Sequence, residues 1–66
     1  MDRIERALRA AFPDLDAAGI NHEARILRAA EWAGVPDADK QEMLEVDGGW
    51  TPRQARALMR AWAEAQ

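Results

Sequence analysis

The sequence predicts an all-α fold, a compact bundle of three to four short helices forming a single small domain over residues 1–66. Three observations predict it. Alanine is the commonest residue, tyrosine is absent and β-branched residues are few, while Ala, Leu, Arg, Glu and Gln lead the helix-propensity ranking. Apolar residues recur at spacings of three and four rather than two, which is the period of a helix face. Proline and glycine gather at three breaks, Pro13, Gly34-Val35-Pro36 and Gly48-Gly49, leaving four segments between them.

The first helix is expected from about Asp2 to Phe12, ending before Pro13, which disfavours helix at the residue preceding it. Ile4, Ala7, Leu8, Ala11 and Phe12 share one face, and Asp2–Arg6 and Glu5–Arg9 stand at i,i+4 in the favourable acid-first order. Residues Pro13 to Gly19 read as a loop that drops Leu15 into the core. Asn21 is the expected cap of a second helix, His22 to Ala33. Its buried stripe would hold Ile20, Ala24, Ile26, Leu27, Ala30 and Ala33. Asp37 or Asp39 then caps a third helix to about Val46, with Met43, Leu44 and Val46 for burial. The fourth helix has the clearest start. Thr51 is the cap, Pro52 occupies the first helical position, and Gln54 completes a Thr-x-x-Gln capping box. Ala55, Leu58, Met59, Trp62 and Ala65 form its inner stripe.

Composition also narrows the chemistry. There is no cysteine and one histidine, so neither disulfides nor a zinc site are expected, and no cofactor is implied. Serine is absent and the single threonine, Thr51, is committed to a cap, which leaves no activated nucleophile. His22 reads as a surface residue. The acidic run from Asp37 fails as a calcium loop, because its sixth and twelfth places hold Glu42 and Gly48 where glycine and glutamate are required. An enzyme is not expected. No run approaches the roughly 20 apolar residues of a membrane span. The opening residues Met1 to Glu5 lack a signal-peptide stretch, so a cytoplasmic location is expected. Eight of the nine basic residues are arginine, which together with the alanine content fits a GC-rich bacterial or phage gene.

Two stretches resemble repressor-type helix-turn-helix domains, a resemblance that implies helix-turn-helix-like geometry for the bundle, with helices two and three meeting at the Gly34-Val35 turn and the first and fourth closing the core. From about Ile26 to Leu44, Ala30, Gly34 and Val35 match the small residue, turn glycine and aliphatic residue of that family. Lys40 stands where the family has an aliphatic residue, and Asp37, Asp39, Glu42 and Glu45 would oppose DNA phosphates. In the second stretch Gly49-Trp50-Thr51 is the turn and Pro52 to Trp62 the recognition helix. Ala55 and Leu58 match its inward positions, and Glu45 stands where a small residue is expected. That resemblance implies Arg53, Gln54, Arg56 and Arg60 as nucleic-acid contacts, Arg suiting guanine and Gln adenine.

Trp32 falls on a helical wheel opposite Ile26 and Leu27, beside Arg25 and Arg28. An exposed Trp flanked by Arg has the composition of a binding hot spot. The expected function is therefore a small non-enzymatic regulatory or adaptor module, of the size of phage- or plasmid-encoded inhibitors. It would act by protein–protein interaction through Trp32, Arg25 and Arg28, or through the acidic Asp37, Asp39 and Glu42. A second copy of the chain is one candidate partner. The alternative is a DNA-binding transcriptional regulator using helix 51–65.

Overall fold

A computed structural model describes all of residues 1–66. It is all-helical, with α1 (Arg3–Ala11), α2 (Ala17–Ala29), a 3-10 turn (Trp32–Gly34), α3 (Asp37–Val46) and α4 (Pro52–Glu64), and no strand. Asp2 caps α1, its carboxylate accepting from the Glu5 backbone N–H at 2.9 Å. Thr51 caps α4 with both halves of the box in place. The Gln54 N–H donates to Thr51 Oγ1 at 3.1 Å, and the Thr51 N–H donates to Gln54 Oε1 at 3.0 Å.

Helix α2 begins earlier than its expected cap. Asp16, not Asn21, is in extended backbone and accepts from the Gly19 N–H at 2.8 Å. The strong helix formers Ala17 and Ala18 therefore lie in the first turn, and Leu15 is left outside, 41% exposed rather than in the core. Helix α3 starts after Pro36 without a side-chain cap. Asp37 and Asp39 instead lie in its first turn, where a helix N-terminus favours negative charge.

The helices pack as α1 on α4, α1 on α2 and α3 on α4, with the 3-10 turn against α2. Their inner faces meet in a core of Ile4, Ala7, Leu8, Ile20, Ala24, Leu27, Trp32, Leu44, Ala55, Leu58, Ala61 and Trp62. Arg3 closes the ends of the chain together. Its guanidinium lies 3.8 Å from the centroid of the Trp62 ring and donates to the Trp62 carbonyl at 2.7 Å and 3.2 Å. Trp50 covers the other end, edge-on to Phe12 at 5.5 Å between centroids.

Lys40 is the one charged residue in the core, 3% exposed. Its stem fills the place an aliphatic residue would take, as long cationic side chains do. Its ammonium donates to the carbonyls of Ala33, at 3.2 Å, and Val35, and pairs with Asp37 at 3.2 Å. A buried cation is tolerated only when it is paired and hydrogen-bonded in this way. The lysine thus ties the 3-10 turn to the first turn of α3.

The reversal between α2 and α3 is made by Glu31, not by Gly34. Glu31 has φ 55°, in the left-handed region, while Gly34 lies outside that region within the 3-10 turn. A left-handed L-residue costs roughly 1–2 kcal/mol, so Glu31→Gly should raise the unfolding free energy by about 1 kcal/mol. A Cβ at Gly34 would meet nothing within 4 Å. Gly34→Ala should then be neutral or stabilise by up to about 1 kcal/mol, through the unfolded state. Urea unfolding of both variants checks this pair, and a helix-turn-helix glycine turn at Gly34 would instead make Gly34→Ala clearly destabilising.

Candidate functional site

Trp32 is not a surface contact. It is fully buried, its ring packed edge-on to Trp62 at 5.1 Å and its indole N–H donating to the Lys40 carbonyl at 3.2 Å. The helical wheel that placed it outward fails because α2 ends at Ala29 and the chain turns through Glu31 before reaching it. Arg28 is also committed within the fold, bridging Asp2 and Glu5 of α1. Asp37 pairs with Lys40. Arg25, Asp39 and Glu42 are exposed and outside any ion pair.

The residues that do form a surface site lie between α2 and α3, which are not a packed helix pair. The walls of this cleft are Ile26, Leu27 and Ala30 from α2 and Met43 and Leu44 from α3, with Trp32 beneath and Trp50 at one end. Two further depressions adjoin it, one sharing Trp50 and Glu23 and lined by Phe12 and Leu15, the other sharing Met43 and Asp47 and lined by Val35 and Val46. Ile26 is 48% exposed and Val46 73%, where the sequence pattern predicts burial for both. They sit beside the inner stripes of their helices, 100° or more from Leu27 and Leu44, so only the burial of neighbouring helices decides their fate.

The central part of the cleft encloses about 220 Å³, below the roughly 300–1,000 Å³ of small-molecule pockets. A wider depression of about 430 Å³ beside α4 contains Arg3, Asp37 and Lys40, and all three are already bonded within the fold. No group of three or more His, Asp or Glu side chains is placed to hold a metal ion. No helix is long and apolar enough to cross a membrane.

Charged groups on the cleft are of one sign, and Gln54 is a neutral polar residue beside them. Glu23, Asp39, Glu42 and Asp47 line it, no Lys or Arg does, and none of the four carboxylates is in an ion pair. The opposite charge is on α4. Arg53, Arg56 and Arg60 are exposed along its outer face without ion-pair partners, and Gln54 is shared with the capping box. No family model matches the chain, and no curated protein or solved structure matches it.

The Arg28 bridge makes the α1–α2 contact sensitive to acid. The Glu5 backbone N–H is the largest influence and holds the Asp2 carboxyl below its ordinary range; burial opposes it, and the hydrogen bond and charge of Arg28 add smaller lowering effects. Because the folded-state pKa is the lower one, this contribution is complete above the unfolded value near pH 4. It is lost as pH falls through the depressed folded value. Asp2→Ala should cost about 1 kcal/mol at pH 7 through the missing cap. The gap between its melting curve and that of the wild type should narrow from pH 5 to pH 2. A gap that stays constant over that range would show that the carboxylate charge plays no part.

Proposed function

We propose that this chain is a non-enzymatic protein-interaction module, regulatory or adaptor in kind, that receives an apolar segment of a partner protein in the cleft between α2 and α3. The observation that carries this reading is the exposure of Ile26 on α2 and Val46 on α3, each lining one of two depressions that share half-buried Met43 as a wall, with half-buried Trp50 lining the first. Contiguous exposed apolar surface on a small domain marks an interaction site more often than scattered single residues do. Aromatic and Met side chains are enriched at the centres of such sites.

A second reading rests on the unpaired Arg53, Arg56 and Arg60 of α4 and takes DNA as the partner. The two readings place function on different faces and separate by mutation. Ile26→Glu with Val46→Glu, and Arg53→Glu with Arg56→Glu, alter exposed positions and should leave the helical circular dichroism spectrum unchanged. Under the cleft reading, the apolar pair should weaken partner binding about 30-fold or more, as loss of a hot spot does, and the arginine pair should leave it intact. Retention of duplex DNA at low salt, falling steeply as salt rises and abolished by the arginine pair, would establish the second reading in its place.

A further inference from the structure

Resting on the cleft reading above, we infer that the occupant is a basic amphipathic helix of about three turns, with Lys or Arg residues flanking its apolar anchors. Charge supports the basic character. The cleft offers Ile26, Met43, Val46 and Trp50 as apolar ground, with Glu23, Asp39, Glu42 and Asp47 around them. These carboxylates have no ion-pair partner within the chain. An incoming segment of the same sign is repelled and one of opposite sign is steered in. Geometry supports the helix. The fold has no strand, so no sheet edge is present to recruit an extended peptide, and helix-in-groove docking is the mode a cleft between helices supports. The α3 wall has ten residues, about 15 Å at a rise of 1.5 Å per residue. That length matches anchors at i, i+3 or i+4, and i+7.

Other occupants fit less well. Two copies joined cleft to cleft would bring their acidic rims together. The chain's own basic helix, α4, presents Arg53, Arg56 and Arg60 but buries its apolar stripe of Ala55, Leu58 and Trp62, so a second copy offers no anchored basic helix. An anionic lipid surface would be repelled by the same carboxylates.

The test is selection of a displayed library of helical peptides, randomised over sixteen positions, against the intact protein. Binders that Ile26→Glu with Val46→Glu abolishes are retained. The expected binders carry net positive charge and apolar residues at helical spacing. Asp39→Lys with Glu42→Lys, which alters exposed positions only, should weaken them about tenfold and select neutral or acidic peptides when used as bait. Cleft-dependent binders without charge bias, or without helical spacing, would overturn the basic-helix inference and leave the cleft reading standing. Recovery of no binder that depends on Ile26 and Val46 would overturn both.

Discussion

The fold depends on the burial of Trp32. A 66-residue chain removes only about 60% of its unfolded surface from water, so its largest apolar side chain must lie where several elements meet. Trp32 follows the end of α2 across the Glu31 turn, sits against Trp62 of α4, and is bonded through its indole N–H to the Lys40 carbonyl of α3. One side chain therefore fixes three helices. The bond to Lys40 satisfies the one polar group of the ring, which a buried indole requires. The Lys40 ammonium, returning to the carbonyls of Ala33 and Val35, satisfies the turn that delivers Trp32 to the core.

The same wedge leaves α2 and α3 apart. With the indole and Leu44 filling the space beneath them, the outer edges of the two helices do not close over each other, and Ile26, Met43 and Val46 remain within reach of solvent. The cleft is thus a consequence of how the core is completed, not of a flexible loop. Its walls are largely helical and its base is formed by the buried Leu27, Trp32 and Leu44, so the proposed binding would carry a low ordering cost. The unpaired acids along it and the unpaired Arg53, Arg56 and Arg60 of α4 put charges of opposite sign on different helices despite a modest net charge of −3.

Much of the fold was legible in the sequence where local chemistry decides it. Thr51, Pro52 and Gln54 mark the start of α4 through hydrogen bonds made within four residues, and Pro13 and Gly48-Gly49 mark breaks through backbone restriction. What escaped depends on tertiary context. Asp16 and Asn21 are both good caps, and only the packing of Ile20, Ala24 and Leu27 on α1 selects the earlier one. Trp32 was misplaced because a helical wheel carries no information past a left-handed residue. Lys40 departs from the helix-turn-helix pattern by residue type, yet its stem serves as the aliphatic group. For the candidate site, the exposed acids Asp39 and Glu42 were visible in advance. The apolar half was not, since three of the six positions assigned to the α2 stripe, Ile26, Ala30 and Ala33, lie outside the core.

Exchange of the three indole N–H protons with deuterated solvent tests the place of Trp32 most directly. Its proton is hydrogen-bonded in a fully buried ring, whereas the Trp50 indole has no acceptor within the chain and a half-exposed ring. The Trp32 indole proton should exchange only on global unfolding, at a rate that follows the denaturant dependence of stability, while that of Trp50 exchanges from the folded state. Exchange of the Trp32 proton as fast as that of Trp50 would contradict the account, and with it the origin of the cleft.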